Sequence, residues 1–74
     1  MKTIYSKAYK EIIRRLLEAR VKAGLRQVDV AKALKKPQSF VSKIEMGERR
    51  LDPIELKGLA KLYKVQLSKI LGEK

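Results

Sequence analysis

The sequence predicts an all-α fold, a compact body of five short helices. Three observations carry that expectation. Apolar residues recur three and four positions apart in successive stretches of the chain, the period of an amphipathic helix. Helix-breaking and helix-starting residues, Gly24, Pro37, Gly47 and Asp52-Pro53, fall between those stretches. The 74 residues suffice for one small domain, which buries roughly 60% of its unfolded surface and is only marginally stable.

Residues 1–6 show no periodic pattern and are expected to form a flexible N-terminal arm, with 7–74 as a single domain. Helix 1 is expected from about Lys7 to Ala23, with Ile12, Ile13, Leu16, Leu17 and Val21 as its apolar stripe. Ser6 suits the N-cap, and Gly24 the residue just past the end, where a left-handed conformation costs a glycine least. Leu25 is expected beneath the entrance to helix 2, which runs from about Gln27 to Leu34 with Val30, Ala31 and Leu34 on one face. Arg26 precedes it and has no side-chain acceptor for the first N–H groups, so the cap is expected to be missing, at a cost of about 1 kcal/mol. Those free N–H groups would attract an anion.

Leu34-Lys35-Lys36-Pro37 leaves room only for a tight turn, because Pro37 ends any helix arriving from its N-terminal side. Helix 3 then runs from Pro37 or Gln38 to about Met46, with Val41 and Ile44 inward and Phe40 packed half-buried beside helix 4. Gly47 allows a sharp exit. After the loop Glu48 to Asp52, Asp52-Pro53 is a strong helix start: an acidic N-cap followed by proline at the first helical position. Helix 4 is expected from Pro53 to about Tyr63, with Ile54, Leu56, Leu59, Ala60 and Tyr63 inward and Gly58 permitting a close helix approach. Helix 5 covers about Leu67 to Leu71.

Composition narrows the function. With no cysteine and no histidine, disulfides, thiol chemistry and the commonest zinc ligand and general base are absent, and no metal or other cofactor is expected. Eight carboxylates are scattered, mostly beside bases, and neither a nucleophile–base set nor a glycine-rich phosphate loop is present, which argues against an enzyme. No apolar run approaches the ~18 residues of a membrane span and no signal peptide is visible, so a cytoplasmic location is expected. A membrane-surface peptide fits poorly, because the bases are spread over several short helices.

The net charge is +11, which points to a polyanionic partner. Between Arg20 and Lys43 seven bases face one acid, Asp29. Within that span Gln38, Ser39, Ser42 and Lys43 face away from Val41 and Ile44. They are compact hydrogen-bonding groups and one cation, without an acid, and such a face can enter the DNA major groove and meet base edges. Gln38 suits adenine N6 and N7, Lys43 guanine O6 and N7. Gln27, Lys36, Gly47, Arg49 and Arg50 are placed to meet phosphates, which give affinity with little sequence information.

Gln27, Ala31, Gln38-Ser39, Val41-Ser42-Lys43-Ile44-Glu45 and Gly47, in this order and spacing, resemble the helix-turn-helix of the Xre/Cro/CI-type, lambda repressor-like transcriptional regulators. The resemblance runs from about Ile12 to Leu71. It implies a five-helix lambda repressor-like DNA-binding domain whose helices 2 and 3 form the helix-turn-helix and whose helix 3 reads an operator. It also implies a structural ion pair between Arg20 and Glu45, and a homodimer on DNA for which Leu62, Leu67, Ile70 and Leu71 are interface candidates. Arg26 stands where relatives carry a capping Ser or Thr, and Lys35 where Gly is usual. On this resemblance the expected function is a sequence-specific double-stranded DNA-binding regulator, a repressor in the first instance. An antitoxin-type or other protein-interaction module using the same fold is the alternative.

Overall fold

The computed structural model describes residues 6–72. The arm expected over 1–6 therefore lies, Ser6 apart, outside the described residues. Five helices follow one another: α1 (Lys7–Lys22), α2 (Gln27–Leu34), α3 (Gln38–Glu45), α4 (Pro53–Leu62) and α5 (Leu67–Leu71). The described residues contain no strand and no helix long and apolar enough to cross a membrane.

The ends of the helices follow local chemistry. The Ser6 hydroxyl accepts from the Tyr9 N–H at 3.1 Å and caps α1. Gly24 and Gly47 both take φ +77, the left-handed conformation in which only glycine escapes a Cβ clash. At α4 the box is complete: the Asp52 carboxylate accepts from Glu55 N–H at 2.8 Å and the Glu55 carboxylate from Asp52 N–H at 3.2 Å, two orphan donors satisfied reciprocally.

Two positions depart from expectation. The start of α2 is half-capped rather than bare, because the Asp29 carboxylate accepts from the Arg26 backbone N–H at 2.8 Å. The Arg26 guanidinium, having no acceptor, folds over Asp29 instead, at 3.1 Å. Together these bonds hold the Asp29 carboxyl below its usual range. Pro37 is the N-cap of α3, with ψ 155, rather than a residue of its first turn.

The core gathers Ile13 and Leu16 of α1, Val30 and Ala31 of α2, Val41 and Ile44 of α3, Leu51, Leu59 and Tyr63 from the α4 region, and Ile70 of α5. Each presents one face to this centre, so five helices too short to stand alone in water stabilise one another. The α3–α4 loop is fastened to α1 by the Leu51 N–H, which donates to the Tyr9 hydroxyl at 2.9 Å.

Three expected core residues turn outward. Ile54 is 76% exposed, Val21 59% and Leu17 36%. Ile54 lies about 170° around α4 from the centre of Leu56, Leu59, Ala60 and Tyr63, and Val21 about 110° from that of Tyr9, Ile13 and Leu16, by helical geometry. Ile70 moves the opposite way. It is 2% exposed within one copy, so it closes the core and is not available as an interface residue.

Gly58 was expected to permit a close helix approach, but a Cβ built there meets nothing within 4 Å. Its conformation is helical. Gly58→Ala should therefore stabilise the protein by about 0.5–1 kcal/mol through helix propensity and loss of unfolded-state freedom. Thermal unfolding followed by circular dichroism checks this; a fall in melting temperature would show that the site is tighter than its geometry.

Candidate nucleic-acid interface

α2 and α3 pack against one another, and α3 also rests on α1. Their joint at Lys35 has φ 58 and ψ 44, a left-handed turn residue whose side chain makes the conformation costly by about 1 kcal/mol. Its neighbour Lys36 closes the turn by donating its N–H to the Ala31 carbonyl at 2.9 Å. The turn is thus the tight one needed to angle α3 across α2, although lysine occupies the place glycine would fill more cheaply.

With Val41 and Ile44 buried, the opposite side of α3 carries Ser39 and Lys43, both exposed. Gln38 is exposed at the start of the helix, and Ser42 is half-buried on the flank between outward and inward faces. The four residues do not therefore form one uniformly outward row. Ser39 lies opposite Val41 and Ile44 on the helical wheel, with Ser42 and Lys43 to either side of it, and of these flanking two Lys43 is the exposed one.

The one acid of α3, Glu45, faces inward. Its side chain is 6% exposed and that of Arg20 is 13% exposed. The guanidinium grips the carboxylate through Nε–Oε2 at 2.6 Å and Nη2–Oε1 at 3.1 Å, the bidentate geometry that suits arginine. A further donor, Nη1, reaches the Leu25 carbonyl at 2.8 Å. The hydrogen bond to Glu45 raises the Arg20 pKa still further. Burial pushes the neighbouring Tyr63 phenol up to about 12, and the Glu45 charge acts in the same direction. The outward face of α3 is free of negative charge because the acid of the helix is drawn into this pair.

Gln27 extends the pair to the surface. Its amide nitrogen donates to Glu45 Oε1 at 2.9 Å, while its own oxygen accepts from the Gln38 amide at 3.3 Å. A continuous polar chain thus joins Arg20, Glu45, Gln27 and Gln38. Gln27 was expected as a phosphate donor. One of its N–H groups is instead committed to Glu45, and its oxygen is in hydrogen-bond contact with the Gln38 amide.

The flanking groups divide in the same way. Arg49 was expected as an open phosphate clamp, but its guanidinium holds both oxygens of Glu55, at 3.0 and 3.1 Å, and the Arg50 carbonyl at 3.0 Å. It also stacks 4.5 Å from the centroid of the Phe40 ring, with the Lys36 ammonium 5.4 Å from the same ring. Arg49 is a fastening between the loop, α3 and α4, and Phe40 is half-buried between the two cations. The Gly47 N–H donates to the Ile44 carbonyl at 3.1 Å, so Gly47 serves through its backbone conformation and its amide is not turned to a phosphate. Lys36 and Arg50 remain exposed; the Arg50 guanidinium lies 5.8 Å from the Tyr9 ring centroid.

Among the described residues no group of three or more acidic, histidine or cysteine side chains is placed to hold a metal ion. What the site offers is an exposed polar face of α3 with a basic surround.

A family model described as helix-turn-helix matches residues 16–70. No curated protein matches the chain.

Proposed function

Because the chain belongs to the Xre/lambda repressor-like helix-turn-helix family, a family of DNA-binding regulators, we propose that it is a sequence-specific double-stranded DNA-binding repressor that places α3 in the major groove of an operator. One observation carries this reading. Ser39 and Lys43 stand exposed on α3 beside Gln38, while Glu45, the acid of the same helix, is held inward by Arg20. A face built this way offers hydrogen-bond donors and acceptors to base edges without repelling the phosphates on either side.

Gln38, Ser39, Ser42 and Lys43 meet bases, Gln38 with its amide orientation fixed by Gln27. Lys36 and Arg50, with the first amides of α2, hold phosphates. Two copies act together. Leu67 and Leu71, which line an open cleft of about 460 Å³ with Ile12 and Leu56, are the candidate contact between copies, and half-sites about one DNA turn apart, ~34 Å, are expected for such a dimer. Leu62 is half-buried against the core and contributes less to such a contact. Occupying an operator that overlaps a promoter blocks transcription in the cytoplasm.

In-vitro selection of bound duplexes from a random pool, with the mass of the complex measured, tests the reading. A single enriched motif with two related halves and two chains per duplex is expected. A pool that stays random after repeated rounds, at modest ionic strength, defeats it. The division of labour has its own test. Arg50→Ala should weaken binding to all duplexes by a similar factor and flatten the dependence of log affinity on log salt by about one. Loss of base preference in this variant would contradict its assignment to a phosphate.

A further inference from the structure

A second basic site lies outside the helix-turn-helix. An open cleft of about 480 Å³ separates the C-terminal end of α1 from the turn that joins α4 to α5. None of the residues lining it belongs to α2, α3 or the loop between α3 and α4. Three lysines line it, Lys22, Lys64 and Lys69, and Ala19, Tyr63 and Val65 supply its uncharged wall.

No carboxylate among the described residues lies within ion-pair distance of any of these lysines. Three lysines lining one concavity, with no acid among the described residues paired to them, make its surroundings electropositive. Lys64 has φ 58, in the left-handed region where glycine is the least costly residue. A cleft of this volume is in the range of sites for small organic ligands and exceeds what a single inorganic anion fills.

We propose that this cleft binds a small oligophosphate ligand, with its phosphates on Lys22, Lys64 and Lys69. Any uncharged part of the ligand lies over Ala19, Tyr63 and Val65. Lysine ammonium groups act as compact, mobile point charges, which suits a chain of phosphates whose oxygens present no single plane. The ligand is either a free polyphosphate chain or a nucleoside triphosphate; the phosphate chemistry is the same.

Titration of the ¹⁵N-labelled full chain, without added metal, with ATP and separately with inorganic tripolyphosphate tests this. Saturable shifts are expected at the amides of residues 19–23 and 63–69. Tighter binding of ATP identifies a nucleotide that uses the uncharged wall, and equal binding identifies the phosphate chain alone. Lys22→Gln and Lys69→Gln should each weaken binding by about tenfold, the loss of one charge-assisted hydrogen bond. Lys64→Gly should weaken it similarly while melting no lower than the wild type, because glycine suits that backbone. Shifts confined to α2, α3 and the α3–α4 loop would overturn the proposal. So would unchanged affinity in the three variants, or perturbation of the cleft by a short duplex and not by either phosphate compound.

Discussion

Replacing Glu45 by alanine is expected to lower the melting temperature by about 12 °C or more. The reasoning runs from burial to charge. Arg20 and Glu45 are 13% and 6% exposed, so neither is well hydrated in the folded protein. Removing one member of a buried ion pair costs about 3–5 kcal/mol, because the other is left as an uncompensated charge. Arg20 would keep only the Leu25 carbonyl among its hydrogen-bond partners, and the Gln27 amide would lose its acceptor as well. For a domain of this size each kcal/mol moves the melting temperature by roughly 4–8 °C. Against a total stability of about 5–15 kcal/mol, the loss is a large fraction. Removing both charges together, as Arg20→Leu with Glu45→Leu, should recover much of it, since two apolar groups leave no buried charge. Calorimetry on the two variants checks both statements, and a Glu45→Ala protein melting within a degree or two of wild type would refute the first.

Reversing the charge of Lys43 is expected to reduce affinity for the selected operator by about a hundredfold or more. A well-placed contact to a base edge contributes about 1–3 kcal/mol of discrimination. A carboxylate at the same point, facing guanine O6 and N7 and the phosphates beyond, adds repulsion that can reach several kcal/mol. Lys43 is exposed and makes no side-chain bond or ion pair among the described residues. Lys43→Glu should therefore leave stability within about 0.5 kcal/mol, which separates a binding defect from unfolding. Lys43→Gln should fall between, with about a tenfold loss and relaxed preference at one base pair. Electrophoretic shift titrations on selected and scrambled duplexes distinguish the cases. Undiminished affinity of Lys43→Glu for the selected site would remove Lys43 from the groove.

Much of the fold was legible in the chain because local rules govern it. Ser6, Gly24 and Asp52-Pro53 mark helix ends through hydrogen bonds and backbone conformations that involve only neighbouring residues. The alternation of Val30 and Ala31 with polar positions, and of Val41 and Ile44 with Gln38, Ser39 and Lys43, fixes which sides of α2 and α3 face the core. The errors have an equally physical origin. Ile54 and Val21 are apolar and helical, yet they sit on the wrong side of the wheel, and apolar type outweighed spacing in assigning them to the core. Ile70 appeared as an edge residue because nothing in a five-residue helix reveals which side α1 will cover.

The site was legible only in outline. The acid-free row on α3 follows from residue order. The bonds that organise it do not. Gln27 to Glu45 spans 18 positions and Tyr9 to Leu51 spans 42, each set by how helices cross, whereas the Arg20–Glu45 pair, 25 positions apart, was implied by the family resemblance and is present. Arg49 shows the difficulty most plainly: its charge and place beside the groove suggested a phosphate, and its actual partner, Glu55, becomes visible only once α4 is in position.

The polar chain from Arg20 to Gln38 also constrains how such a protein can acquire a new operator. If α3 reads bases as proposed, substitutions at Ser39 and Lys43 would change what is recognised while disturbing no other side-chain bond among the described residues. A substitution at Gln38 strips the Gln27 oxygen of its donor, and a matching change at Gln27 then reaches Glu45 and the charge that balances Arg20. Divergence of target sequence among descendants of this chain should therefore proceed first through 39 and 43. Exchanges at 38 should arrive together with a companion at 27 that still donates to the carboxylate beneath it.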